Sequence, residues 1–338
     1  MSSAPPARMM GSAPRSGRSR RPARTVTAES SATLAERGRC AVAPALREDT
    51  SMRRFAVLAL SVLLTTCSEG PTGDGGDVPA VLLAAGDIAR CTDTLPGEQL
   101  TAALLDTLPG AIAAVGDLAY PEGSAANFHD CYDPTWGRHK ARTHPAPGNH
   151  EYITPGAAAY FAYFGAGAGD PSKGYYSYDL GAWHILSLNS EVDVSASSPQ
   201  VAWIRADLAT HPTRCALAYY HRPRFSSGFQ EPDLSALWQA LYDGGVDVVL
   251  SGHAHFYERF APLNGAGMPE PTGTREFIVG TGGAGPGNIG TVAANSKVRR
   301  TNLNGVLRLE LGSTGYTWRF VDAAAEFTDT GIGTCSRH

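Results

Sequence analysis

The sequence predicts an α/β fold in which two mixed β-sheets pack face to face with flanking helices. Three observations predict it. Short continuous apolar runs at residues 81–85 and 111–115 read as buried strands around a helical stretch, 97–108, the pattern of a parallel strand–helix–strand unit. Polar clusters follow these and later apolar runs, where open α/β sheets place functional side chains. Beyond residue 276 the chain turns into β-rich pieces punctuated by glycine, which suggests antiparallel strands completing the sheets.

Taken in order, strand 81–85 ends in Gly86-Asp87, and helix 97–108 carries Leu100, Leu104, Leu105 and Leu108 on one face. Strand 111–115 again ends in Gly-Asp, here Gly116-Asp117. Residues 175–179 and 183–189 alternate about Gly181 as a hairpin, and 199–211 form an amphipathic helix. Strand 215–220 delivers His221, helix 234–243 follows, and strand 246–250 delivers Ser251-Gly252-His253. Segments 276–279, 305–311 and 316–321 are the late strands, and no internal repeat is visible. One folded domain is expected over 78–322, with 323–338 as a C-terminal tail.

Charge divides the 338 residues unevenly. The first 54 contain 11 Arg, no Lys and four acidic residues in a Pro/Ser/Ala-rich composition, so residues 1–51 read as a disordered or mis-assigned upstream extension. The remainder, 55–338, carries 17 basic against 28 acidic residues, a net charge of −11, and such a body repels nucleic acid. Residues 52–67 hold two arginines, an apolar stretch from Phe55 to Leu64 and then Cys67, which is the build of a signal peptide and too short for a membrane span. Leu64-Thr65-Thr66-Cys67 is similar to a bacterial lipoprotein processing site, although Thr66 departs from the usual small residue before the cysteine. The expected location is therefore secreted, periplasmic or lipid-anchored through Cys67, with 68–77 as a Gly-rich linker. Four cysteines remain in the body. Three pairings are possible, and Cys91 with Cys131 and Cys215 with Cys335 is the favoured one.

Five clusters carry the chemistry: Asp87 in GDIAR, Asp117 and Tyr120 in GDLAY, Asn149 and His150 in GNHE, His221 in YYHRP, and His253 and His255 in SGHAH. Carboxylates, an amide oxygen, a phenolate and imidazoles form a mixed donor set suited to one trivalent and one divalent transition metal rather than to Ca²⁺ or Mg²⁺. A two-metal site needs one shared anionic ligand, assigned to Asp117. Asp87, Tyr120 and His255 would join it on the first metal, and Asn149, His221 and His253 on the second. His253 and His255, two apart in an extended segment, would point the same way and serve one dinuclear centre. The glycine before Asp87, Asp117, Asn149 and His253 would permit the turn dihedrals and close backbone approach. The other histidines, His129, His139, His144, His184 and His211, read as satisfied or surface imidazoles.

The order GDIAR, GDLAY, GNHEY, AYYH and GHAHFYER, spanning roughly residues 80–322, resembles the calcineurin-like metallophosphoesterases, and within them the purple acid phosphatase branch. Tyr120 discriminates, because most other metallophosphoesterases carry DxH in the first cluster, and here Ala89 stands two residues after Asp87. The resemblance implies the metallo-dependent phosphatase fold, a four-layer α/β/β/α sandwich. It implies Fe(III) at the Asp87/Asp117/Tyr120/His255 site, with a visible phenolate charge-transfer band, and Fe(II), Zn or Mn at the Asp117/Asn149/His221/His253 site. The implied reaction is hydrolysis of a small phosphoester, most simply a monoester, by a hydroxide held on the metals and attacking phosphorus in line. His150 would protonate the leaving alcohol, with Glu151 orienting it. The first cluster lacks the second glycine of the family pattern and has Ala89-Arg90 instead. Only a linker precedes Val78, so a compact bacterial form without the N-terminal β-sandwich of large plant enzymes is expected. Competing readings are a phosphodiesterase or nucleotide hydrolase using the same centre, and a non-catalytic cell-surface binding protein. Tyr152, Tyr160, Phe161, Tyr163 and Phe164 could stack a nucleoside, but their helical spacing is that of core residues.

Overall fold

The computed structural model describes residues 78–91, 97–213, 215–229 and 231–336. The expected upstream extension, signal peptide and linker, all within 1–77, lie outside the described residues. The first half of the described chain runs β1 (Ala80–Ala85), β2 (Ala89–Arg90), α1 (Gly97–Thr107), β3 (Ala111–Val115), β4 (Ala119–Tyr120), α2 (Ala125–Asn127), β5 (Thr143–Ala146) and α3 (Ala158–Phe164). The second half begins with β6 (Tyr176–Leu180), β7 (Trp183–Ser187), α4 (Pro199–Thr210), β8 (Cys215–Tyr219), α5 (Ser235–Asp243) and β9 (Val248–Ser251). It ends with β10 (Tyr257–Leu263), β11 (Thr274–Val279), β12 (Ser296–Arg300), β13 (Gly305–Leu311), β14 (Gly315–Asp322) and β15 (Thr330–Thr334).

Two mixed sheets result. One has the order β15-β14-β13-β1-β3-β5, the other β12-β10-β11-β9-β8-β7-β6. Within the first, β1, β3 and β5 are parallel and the late strands antiparallel. In the second, β7, β8, β9 and β11 are parallel, flanked by antiparallel β6 and β10. Three buried apolar clusters define four layers. Leu82, Val115, Leu217, Leu250, Leu307 and Phe320 fill the space between the sheets. Leu105 of α1 and Phe161 of α3 cover the outer face of the first sheet, and Ile204 of α4 and Leu237 of α5 cover that of the second. The α/β/β/α sandwich expected from the sequence is thus the observed one.

Short polar strands escaped the periodicity argument. β5 reads THPA, and Pro145 is tolerated because β5 is an edge strand; its carbonyl accepts from the Tyr176 hydroxyl and from Ser187 Oγ. β15 lies inside the segment expected as a tail, pairing with β14 at the sheet edge. Both favoured disulfides form. Cys215–Cys335 links the start of β8 to the residue just past β15, so it ties one sheet to the other, and Cys91–Cys131 ties the turn after β2 to the segment after α2.

Candidate metal centre

Asp87, Asp117 and Asn149 follow β1, β3 and β5, and His221 and His253 follow β8 and β9, so the carboxyl ends of parallel strands from both sheets converge on one place. The backbone is forced there. Asp87 (φ 58°), Asp117 (φ 53°) and His253 (φ 64°) all occupy the left-handed region, which is uncommon for residues with a side chain and costs on the order of 1 kcal/mol or more each. Of the preceding glycines only Gly116 (φ 75°) takes the expected turn dihedral, and after Gly86 and Gly252 the left-handed backbone falls on Asp87 and His253 themselves. The glycines provide close approach: a Cβ on Gly148 would sit 2.3 Å from Asp117 Oδ1, and one on Gly252 would sit 2.7 Å from Asp87 Oδ2.

Two groups of donor atoms share Asp117. The Tyr120 hydroxyl lies 3.0 Å from Asp87 Oδ1, 3.1 Å from Asp117 Oδ2 and 3.0 Å from His255 Nε2, and His255 Nε2 is 3.1 Å from Asp87 Oδ1. On the other side His221 Nε2 is 3.1 Å from Asp117 Oδ2 and 3.2 Å from His253 Nδ1. His221 Nδ1 donates to the Val115 carbonyl at 3.1 Å, which leaves Nε2 free to face the centre. Asn149 Oδ1 is buried and has no hydrogen-bond partner, a costly state for an amide oxygen unless something electropositive fills it. The residues flanking it both reach Asp117: Gly148 packs on Oδ1, and His150 N–H donates to that atom at 2.8 Å. The donor set fits two cations. Two carboxylates, a phenol oxygen and an imidazole would suit the more highly charged ion, and the shared carboxylate, an amide oxygen and two imidazoles a divalent one.

His253 and His255 serve the two sides separately. Their segment is turned rather than extended, with Ala254 N–H donating to the Gly252 carbonyl and Phe256 N–H to that of Ala254. The shared pointing expected from an i, i+2 strand spacing is therefore replaced by divergence of the two imidazoles onto opposite halves of the centre.

Electrostatics in the metal-free protein follow from this packing. Burial pulls the Asp117 carboxyl upward, but neighbouring His221 outweighs it and holds the group well below the usual range. Burial likewise opposes the charged form of His221, and Asp117 overcomes it, so its pKa rises to about 10. Asp87 is lowered, its burial outweighed by His255, and His255 is raised in turn. His253, buried beside His221, is lowered. Burial together with the charges of Asp87 and Asp117 raises the Tyr120 phenol far above its ordinary value, so only a bound cation would make it a phenolate.

His150 and Glu151 play different parts. His150 Nδ1 donates to the Pro121 carbonyl at 2.5 Å, its ring packs on Tyr120 with centroids 4.2 Å apart, and Nε2 stands 3.8 Å from Asp117 Oδ2. Its orientation comes from these contacts and not from Glu151. Glu151 points inward, is completely buried, and accepts N–H bonds from Asp117 (2.9 Å), Leu118 (2.8 Å), Ala119 (3.3 Å) and Gly148 (2.8 Å). It therefore binds the Asp117 loop to the Gly148-Asn149 loop. No apolar periodicity signals such a role; the only hint is an acidic residue embedded next to Asn149 and His150.

Other candidates are accounted for elsewhere. Tyr160, Phe161 and Phe164 lie in the core, and Tyr152 accepts from Asn189 Nδ2 at 2.7 Å. His184 is buried between Asp179 and Asp207, its two nitrogens 2.8 and 2.7 Å from their carboxylates.

A family model described as calcineurin-like phosphoesterase matches residues 80–257. Purple acid phosphatase 23 of Arabidopsis thaliana is 29% identical over 221 residues, covering 53% of this chain and 48% of that protein. Purple acid phosphatase 15 of the same plant is 26% identical over 255 residues, covering 63% and 47%. The chain thus spans about half the length of these curated relatives. Among solved structures, purple acid phosphatase PPD1 from yellow lupin seeds (Lupinus luteus) superposes with a TM-score of 0.63 at 20% identity, covering 75% of this chain and 53% of that one. GAP50, the anchor in the inner membrane complex of Plasmodium, gives 0.59 at 15% identity, covering 75% and 88%. At these identities the structural likeness concerns the fold.

Proposed function

The chain belongs to the calcineurin-like phosphoesterase family, and from that premise we propose that it is a dinuclear-metal phosphomonoesterase of the purple acid phosphatase type. The observation that carries the proposal is the convergence of two donor groups on Asp117, with the buried, unpaired oxygen of Asn149 completing the second. Asp87, Asp117, Tyr120 and His255 would hold Fe(III), and Asp117, Asn149, His221 and His253 would hold Fe(II), Zn or Mn. When bound, the two ions would supply positive charge for the phosphoryl transition state and acidify a water.

The chain's own residues orient the rest. His150 N–H fixes Asp117 Oδ1, leaving Oδ2 toward Tyr120 and His221, as a shared ligand requires. The His150 ring is pinned by its Nδ1–H bond to Pro121, so Nε2–H of the protonated ring is the atom positioned to give a proton to the leaving alcohol. Glu151 keeps the two loops at fixed separation by holding their backbone amides.

Export is part of the proposal. Residues 52–67 would act as a signal, with lipid attachment at Cys67, and two disulfides in the body support assembly in an oxidising compartment. No described helix is long and apolar enough to cross a membrane. The substrate would be a small phosphoester and not nucleic acid. The test is metal analysis, a visible spectrum and hydrolysis of a nitrophenyl monoester against the matching diester across pH. Two metals per chain, monoester preference and loss of turnover in Asp117→Asn are expected. A protein that binds no metal and hydrolyses neither ester would refute the proposal, and diester preference would overturn the monoesterase assignment.

A further inference from the structure

Exposed apolar side chains are ordinary when scattered singly. Phe229 is different in its place and its support. Its side chain is 63% exposed, and its ring centroid lies 5.5 Å from that of His253, one of the residues proposed to hold the divalent ion.

The loop that leads to it is anchored on buried side chains. Arg224 N–H and Phe225 N–H donate to the two carboxylate oxygens of Glu276, and Ser227 N–H and Oγ–H donate to those of Glu258. Both glutamates are completely buried. Ser227 also accepts, at its carbonyl from Gly290 N–H and at Oγ from Ala293 N–H, which fastens the neighbouring segment to the same loop. That segment exposes Val292 (53%), beside Ala293. Phe225, four residues earlier, turns inward onto Trp238. Phe229 is thus an aromatic ring exposed to solvent at the edge of the centre, two residues beyond a backbone anchored on buried side chains.

Resting on the phosphoester-hydrolase reading, we infer that Phe229 is a specificity-determining wall for the leaving group, and that the preferred substrates are phosphomonoesters of planar aromatic alcohols or nucleosides. An aromatic ring stacks on the π-face of either group without regard to its hydrogen-bonding pattern, so the wall selects for flatness rather than for one compound.

The full chain, F229A, F229L and F229W are compared on phenyl phosphate, adenosine 5′-monophosphate and glycerol 2-phosphate, with inorganic phosphate as a competitive inhibitor. In F229A the kcat/KM ratio of an aromatic ester to glycerol 2-phosphate falls on the order of tenfold, mainly through KM, while inhibition by phosphate is unchanged. F229W restores the ratio and F229L does not. A fall confined to phenyl phosphate assigns the wall to rings bonded directly to the ester oxygen, and a fall confined to the nucleotide assigns it to a base. A ratio within twofold of wild type for both aromatic esters overturns the inference and leaves the phosphatase reading standing. So does an equal change in phosphate inhibition, because Phe229 would then act through His253. A wild-type chain that hydrolyses none of the three esters overturns the phosphatase reading and this inference with it.

Discussion

Replacing Glu151 with alanine is expected to cost far more than removing an ordinary acidic side chain, because this carboxylate holds backbone and not solvent. Three of the four N–H groups it accepts are at 2.8 to 2.9 Å and the fourth is at 3.3 Å. A buried donor left without a partner costs about 1–3 kcal/mol. Counting the three short bonds, the gross loss is roughly 3–9 kcal/mol. Two effects offset it. Burial and the charge of Asp117 push the Glu151 carboxyl up to about 8, so its ionised form is disfavoured in place and its removal recovers that cost, and water can enter the space it leaves. A net destabilisation of about 4 kcal/mol follows, in the lower half of that gross range. Because the freed amides belong to Asp117 and Gly148, the two loops separate, and metal affinity should fall about 10- to 100-fold, as it does when supporting groups around a metal are lost. Urea unfolding with and without chelator measures the first effect, and competitive metal titration the second. Glu151→Gln is the internal control: it keeps one acceptor oxygen but turns an NH₂ group toward two backbone donors, so it should retain roughly half of the stability. An E151A protein with a wild-type unfolding midpoint and unweakened metal binding would refute the reasoning.

Y120F should lose the visible absorption expected of an Fe(III)–phenolate pair and bind less than two metals per chain; a band that survives the substitution would place another donor on that ion. Since Tyr120, His221 and His255 all have raised pKa values in the metal-free protein, loading should release about two or three protons per chain at pH 7 and weaken as pH falls. Calorimetry in buffers of different ionisation enthalpy reads that number directly, and metal uptake independent of pH between 5 and 8 would contradict it. C215S/C335S should lower stability by about 2–5 kcal/mol, because this bridge closes a loop of 120 residues and joins the two sheets. An unchanged urea midpoint would show that the β14–β15 pairing alone holds the C-terminal strand.

Four of the candidate metal-site residues were legible because each stands at the end of a strand whose apolar run is visible in one dimension. β1, β3, β8 and β9 announce Asp87, Asp117, His221 and His253. β5 did not announce Asn149, since an edge strand reading THPA contains a proline and a histidine and has no continuous apolar run. Glu151, Glu258 and Glu276 were illegible as anchors for a related reason. Each is a buried acid whose partners are backbone amides of distant loops, and backbone groups leave no mark in the sequence.

What the sequence determined by itself was the class of fold and the kinds of candidate donor atom, because strand periodicity and residue chemistry are local properties. Tertiary structure alone decided how those donors divide. It placed Asp87, Asp117 and His253 in left-handed backbone, sent His253 and His255 to opposite sides, and turned Glu151 away from His150 onto the amides of two loops. The physical reason is that each of these depends on the carboxyl ends of strands from two separate sheets meeting at one point. No local pattern encodes that meeting. It appears only when Leu82, Val115, Leu217 and Leu250 have packed the sheets together.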